Sequence, residues 1–338
     1  MGVLRTVLAL MVMINHLAGV FLGHYALFGF YIISGYLMTL IMHESYGYTS
    51  DGRTRFAVNR FLRLYPQYWT AVLFSILVIS FLGWRAARYE YHLFMPTSWE
   101  WFQNISMIFV DWHPFTLSQR LVPSAWTLTI ELCFYFLICL GISKTFNRVL
   151  VWLGLSVVYF AVTYLLDLSW QYRYSYAASA SLPFAIGALI YFLPKIKLPT
   201  KGLFLILMVN SVIGALMFRE VKWYFWDVGF YLNILICGLL VYSIKSGGQL
   251  FFTKIDQWIG DFSYPVYLLH WQVGALMSYL VFGHTNRGFN LTSFIVFLVS
   301  LVFIYGLSSL FIKYIDQPIQ NIRAKVKHGK LFWRPVFQ

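Results

Sequence analysis

Arg5 and His16 stand eleven positions apart in the apolar stretch that opens the chain. On a helix eleven residues turn through about 1100°, so both side chains share one face, about 16 Å apart along the axis. An imidazole at that depth could accept a hydroxyl proton near neutral pH. The same pattern also fits an arginine whose head reaches back to the interface and a histidine hydrogen-bonded to a neighbouring helix. Arg60 and Arg63, in Arg60-Phe61-Leu62-Arg63-Leu64-Tyr65-Pro66, converge if that stretch is helical. Paired guanidiniums suit phosphate oxygens, though they also make an ordinary basic flank to a membrane span. Glu131, in Trp126-Thr127-Leu128-Thr129-Ile130-Glu131, lies well inside an apolar segment, where a carboxylate needs a partner, a proton or a water-filled cavity. His270, in Tyr267-Leu268-Leu269-His270-Trp271, is either a functional imidazole or one satisfied by a neighbour. Ser34-Gly35 points first to close helix packing.

The elements that must position these groups are membrane spans. Of 338 residues, 60% are hydrophobic, 20% aromatic and 11% charged, against about a quarter charged in a soluble domain. The apolar runs cover the whole length, which excludes a soluble enzyme, a disordered chain and a protein with a single anchor. The expected fold is all-α: a polytopic membrane protein of ten spans, at 4–22, 25–42, 67–83, 123–142, 148–166, 175–193, 202–218, 226–244, 262–282 and 292–314. With both termini in the cytoplasm, the inner loops and tail carry seventeen Lys and Arg against seven outside, with Arg5 at the inner end of the first span. That asymmetry accounts for the net charge of +13 and leaves no compact basic stripe for nucleic acid. The first span reads as retained, because no small-residue cleavage pattern follows it.

Two connections are long enough to carry function. Residues 43–66 are expected to be basic and cytoplasmic. Residues 84–122 are expected to face outside and are rich in aromatics (Trp84, Tyr89, Tyr91, Trp99, Trp101 and Trp112), of which Trp99, Trp101 and Trp112 would either stack on sugar rings or form an interfacial aromatic belt. Residues 1–318 form the membrane unit and 319–338 a short basic cytoplasmic tail, with no attached soluble catalytic domain. Cys133, Cys139 and Cys237 all lie in apolar spans without CxxC spacing, and no HxxxH or HExxH occurs, so neither disulfide nor metal is indicated.

Five of these stretches, in order, resemble the acyltransferase-3 family of integral-membrane acyltransferases. Gly2-x-Leu4-Arg5 followed by His16 is similar to the family's Arg-x10-His opening. Phe30-Tyr31-Ile32-Ile33-Ser34-Gly35-Tyr36 resembles its Phe-Phe-x-Ile-Ser-Gly-Phe. Arg60-x-x-Arg63-x-x-Pro66-x-Tyr68 resembles its Arg-x-x-Arg-x-x-Pro-x-Tyr. Trp126-Thr127-Leu128-Thr129-Ile130-Glu131 with Phe134-Tyr135 resembles its Trp-Ser-Leu-x-x-Glu-x-x-Phe-Tyr. Ser263-Tyr264-x-x-Tyr267-Leu268-x-His270 resembles its C-terminal Ser-Tyr-x-x-Tyr-Leu-x-His. The resemblance runs from residue 1 to about 320. The chain departs from the pattern at its start, where the Asp often preceding Gly2 is absent and Thr6 replaces a common Gly. It also lacks the extracytoplasmic hydrolase-like domain that some members append.

The resemblance implies transfer of an acyl group, usually acetyl, from cytoplasmic acyl-CoA to a hydroxyl of an extracytoplasmic or lipid-linked glycan, in a bacterial inner membrane. On that basis Arg60, Arg63 and Arg5 would receive the CoA phosphates, and His16 would act as general base, with Glu131 orienting it or taking the proton itself. Ser34, His270, Trp99 and Trp101 are candidates for the substrate side. A ternary complex of donor and acceptor is expected rather than an acyl-enzyme, for which Ser34 is the one nucleophile to name. Lipopolysaccharide O-antigen, exopolysaccharide and smaller hydroxylated acceptors are not separated by the sequence. A proton-coupled secondary transporter, or a flippase or scaffold subunit of a glycan assembly complex, is the competing class.

Overall fold

In this computed structural model, residues 1–89, 93–109, 120–220 and 223–329 are described; Tyr91, Trp112 and the end of the tail lie outside them. The described residues are helical throughout, with no strand. The order is α1 (Gly2–Ala18), α2 (Gly23–Ile41), α3 (Ser50–Leu82), α4 (Trp84–Tyr89), α5 (Ser98–Ser106), α6 (Trp126–Leu140), α7 (Phe146–Leu165) and α8 (Trp170–Tyr174). There follow α9 (Ser181–Phe192), α10 (Thr200–Glu220), α11 (Trp223–Lys245), α12 (Thr253–Asp261), α13 (Ser263–Phe282), α14 (Leu291–Phe311) and α15 (Gln317–Lys327).

Among the described residues, seven helical segments are long and apolar enough to cross a membrane: Gly23–Tyr46, Ser50–Leu82, Pro123–Leu140, Phe146–Leu165, Thr200–Met217, Asp227–Lys245 and Leu291–Lys327. The expected segments at 4–22, 175–193 and 262–282 are helical too but fall short of that standard. Gly2–Ala18 and Ala177–Phe192 are short. The 20-residue α13 is diluted by Tyr264, Tyr267, His270 and Gln272. The reason is location. The centre of α1 and most of α13 are buried among other helices, whereas α7 and α10 show Leu155, Val158, Leu165, Leu205 and Leu216 to the surroundings. Helices that touch protein rather than lipid can afford polar residues and fewer turns.

α2 is central, packed on α1, α9 and α11. Its approach to α9 rests on two glycines: a Cβ at Gly35 would run into the carbonyl oxygen of Phe184, and one at Gly187 into that of Ile32. These obstacles are backbone atoms, so no rotamer change relieves them. Gly35→Ala is therefore expected to cost about 1–3 kcal/mol, or more if the helices cannot part. Thermal unfolding in detergent checks this, and an unchanged midpoint would mean that the contact yields freely.

Three expectations change at the loops. The supposed cytoplasmic loop 43–66 is mostly helix: a π turn at Met42–Tyr46 leads to α3, which starts at Ser50 and continues through Pro66. The Thr49 hydroxyl caps it by accepting from the Gly52 amide at 3.2 Å. The described part of the tail, to residue 329, is mostly helix. α15 lies along α3, where Asn59 Nδ2 donates to the Arg323 carbonyl at 3.0 Å and Arg55 donates to that of Lys327 at 2.9 Å.

The third change concerns 84–122. α5, capped by Thr97 and Glu100, is fastened to α3 at its C-terminal end. The carbonyls at its end are taken by α3 side chains: Ser106 by Tyr65 at 2.8 Å, Ile105 by Trp69 at 2.9 Å and Asn104 by Tyr68 at 2.7 Å. Those side chains lie about 20 Å along the helix from its Leu82 end. Thr129 of α6 holds the Met107 carbonyl at 2.9 Å. Side chains thus satisfy the carbonyls that the end of the helix leaves unpaired.

Candidate functional site

The N-terminus of α1 abuts α12. The Asp256 carboxylate accepts the amides of Gly2 at 2.9 Å and Val3 at 3.0 Å, and Gly2 lies so close to α12 that a Cβ would strike the Asp256 carbonyl. Burial alone would raise the Asp256 pKa, but bonds from the Met1 nitrogen and these two amides hold it below the ordinary carboxylate value. This capping sets the register in which Arg5 leaves the first turn of α1.

Arg5 opens on a partly open cavity of roughly 150 Å³ between α1, α2, α3, α6 and α13. Arg60 and Arg63 face it from α3, Tyr31 and Ser34 from α2, Glu131 and Tyr135 from α6, and Tyr264 and Tyr267 from α13. The predicted convergence of Arg60 and Arg63 thus follows from α3 being helical here. Five candidates from the sequence (Arg5, Ser34, Arg60, Arg63 and Glu131) share one chamber.

Their charges are unevenly answered. Arg63 is committed: its Nη1 lies 2.6 Å from Asp316 Oδ1, and Gln67 and Gln320 complete that carboxylate at 2.8 and 2.7 Å. Among the described residues Arg60 bonds neutral groups: Asn59 Oδ1 at 2.9 Å, Met38 Sδ at 3.7 Å and the Tyr46 hydroxyl. Among the described residues neither Arg5 nor Arg60 forms an ion pair, and each buries an Nε without an acceptor. Glu131 accepts from Ser34 Oγ at 2.9 Å and from the Tyr135 hydroxyl at 2.9 Å. Two guanidiniums facing a chamber without a carboxylate bonded to them make a ready anion site.

His16 is not in this chamber, and Glu131 does not orient it. Its ring stacks on His270, centroids 5.4 Å apart, and lies 4.3 Å from Trp271. Arg287 covers Trp271 at 4.3 Å and donates from Nε to the His16 carbonyl at 3.0 Å. His270 Nδ1 is 2.8 Å from the Tyr267 carbonyl. A carbonyl can only accept, so Nδ1 carries the proton and the neutral ring keeps its lone pair on Nε2, which is buried without a partner. Tyr267 joins the two layers: its ring lines the chamber, its hydroxyl meets Thr127 Oγ1 at 2.6 Å, and its carbonyl serves His270 and Ser124. His270 follows it by one helical turn, about 4.5 Å along the axis.

Trp99 and Trp101 sit on α5, and neither lines the chamber. Trp99 is exposed beside Phe102, with Ile105 and Ile108 exposed farther along, a facing suited to lipid rather than to sugar. The residues that the sequence did not single out are Tyr31, Tyr135 and Asp316. Tyr31 and Tyr135 stand one turn from Ser34 and Glu131, so helical spacing alone could have found them. Asp316 carries no local signal, because only the docking of the C-terminal segment brings it to Arg63.

Comparison with known proteins adds two findings. A family model described as an acyltransferase domain matches residues 1–313. A protein of Komagataeibacter xylinus named "Putative membrane-bound transacylase BcsY" is 27% identical over 173 residues, 46% of this chain and 42% of that protein, so the similarity spans less than half of the relative. No solved structure matches.

Proposed function

The chain belongs to the acyltransferase-3 family, and on that footing we propose that it transfers a short acyl group, most simply acetyl, from acyl-CoA to a hydroxyl of a cell-surface or lipid-linked glycan. As a multi-pass protein of a bacterial inner membrane with ten crossings and both termini inside, it would meet CoA from the cytoplasm. The observation that carries the proposal is the pair Arg5 and Arg60, half-buried guanidinium groups with buried Nε atoms and no carboxylate bonded to them, which open on the same chamber as Glu131. The name of the bacterial relative, a transacylase, agrees with it.

In this scheme the phosphates of the donor lie against Arg5 and Arg60, and the thioester arm enters the chamber towards Tyr267. The acceptor hydroxyl comes from the other side, against the His16–His270 layer. His16 takes its proton as the oxygen attacks the thioester carbonyl carbon. The C–O bond forms, the C–S bond breaks, and the leaving thiolate recovers the proton. Ser34 Oγ is engaged with Glu131, and the two substrates meet directly in a ternary complex.

The test is transfer of labelled acetyl from acetyl-CoA into a glycan-containing lipid extract, with CoA binding measured on purified protein. Arg60→Ala removes charge-assisted bonds worth about 1.5–3 kcal/mol, so CoA should bind roughly ten- to a hundredfold more weakly. If the parent protein moves no acetyl and binds no CoA, the donor assignment falls and proton-coupled transport becomes the reading to pursue.

A further inference from the structure

Four tyrosines line the chamber, and three of their hydroxyls are committed. Tyr135 donates to Glu131 at 2.9 Å, Tyr264 to the Leu64 carbonyl at 3.0 Å, and Tyr267 pairs with Thr127 at 2.6 Å. The fourth, Tyr31, is 1% exposed and its hydroxyl has no partner among the described residues. Leaving a phenol unpaired at such a site costs about 1–3 kcal/mol. Packing does not require it, because the ring already stacks on Phe184 at 5.3 Å and tilts against Phe28 at 6.0 Å. Tyr31 and Ser34 are one turn apart on α2 and line the same chamber, which brings the free O–H to the side where Ser34 meets Glu131.

We propose that the Tyr31 hydroxyl is a catalytic hydrogen-bond donor to the carbonyl oxygen of the bound acyl thioester. The inference rests on the acyl-CoA reading above. As the acceptor oxygen bonds to the carbonyl carbon, the C=O π electrons move onto oxygen, and Tyr31 O–H donates to that oxyanion without giving up its proton. When the C=O bond re-forms, the C–S bond breaks and the thiolate leaves. A donor fixed in place beforehand favours the tetrahedral species over the planar thioester.

Tyr31→Phe keeps the ring and removes the donor. Turnover should fall about 10²-fold, in the range seen when an oxyanion donor is lost. CoA, which has no acyl carbonyl, should bind the variant as it binds the parent. A ketone analogue of acetyl-CoA, with CH₂ in place of sulfur, should bind about tenfold more weakly. Infrared spectra of that analogue, carbonyl-labelled with ¹³C and bound to the parent protein, should show the C=O stretch below its frequency in an apolar solvent. A stretch at the apolar-solvent value overturns the proposal whether or not the variant folds, and so does a variant with parental turnover and unchanged preference for ketone over CoA. Failure of the parent itself to bind CoA overturns the donor reading beneath it, a result distinct from both.

Discussion

His16→Ala is expected to reduce acyl transfer by about 10²–10⁴-fold, the usual contribution of a positioned general base, while CoA affinity stays within twofold of the parent. The basis for separating the two effects is the length of α1. Arg5 lines the chamber at one end of the helix, whereas His16, three turns on, lies beyond Tyr267 in the layer with His270 and Trp271. Arg5→Ala should show the reverse pattern, with weakened CoA binding and a turnover that recovers at high donor concentration. Equilibrium binding to purified protein, run beside initial rates over a range of acetyl-CoA, reads both. If His16→Ala weakens CoA as strongly as Arg5→Ala does, the donor reaches past Tyr267 and the two-layer scheme is wrong. If turnover is unaffected, the base is elsewhere, and His270, with its unpartnered Nε2, is the next group to replace.

Arg63→Ala should act first on stability, by about 3–5 kcal/mol, because it strands a buried carboxylate. Asp316 is 3% exposed and would keep only the two amide donors, Gln67 and Gln320, in place of a 2.6 Å ion pair. The pair also ties α3 to the π turn Ile312–Asp316 that leads into α15, so its loss loosens the wall on which Arg60 is mounted. Arg63→Ala combined with Asp316→Asn removes both charges and should recover at least half of the lost stability. Thermal unfolding in detergent of the two single variants and the double one measures the coupling. Arg63→Ala with a parental midpoint, but a loss of CoA affinity equal to that of Arg60→Ala, would make Arg63 a ligand of the donor rather than a strut.

The sequence by itself determined the membrane class and the helical segments, since long apolar runs and the shortage of charge leave a chain few other structures in lipid. It also marked Arg5, Ser34, Arg60, Arg63 and Glu131 as residues with a reason to be unusual, because each is costly or small where lipid-facing side chains are expected. Helical spacing put Arg60 beside Arg63 and, had it been pursued, would have put Tyr31 beside Ser34 and Tyr135 beside Glu131.

Tertiary structure alone decided who meets whom. Arg5 and His16 share a helix face, yet α2, α3, α6 and α13 close around the first and α13 with the Arg287 loop around the second. Glu131 therefore answers Ser34 and Tyr135 rather than His16. Asp316, 253 residues from Arg63, turns one of two similar arginines into an ion pair and leaves the other open. The 84–122 connection is expected outside from the span count and the balance of Lys and Arg, and neither says what α5 packs against. The end of α5 is held on α3 because Tyr65, Tyr68 and Trp69 supply the donors that its carbonyls would otherwise take from water. Side-chain pairing between segments distant in the chain leaves no periodic trace in either one, which is why composition and spacing find the candidates and only packing assigns their partners.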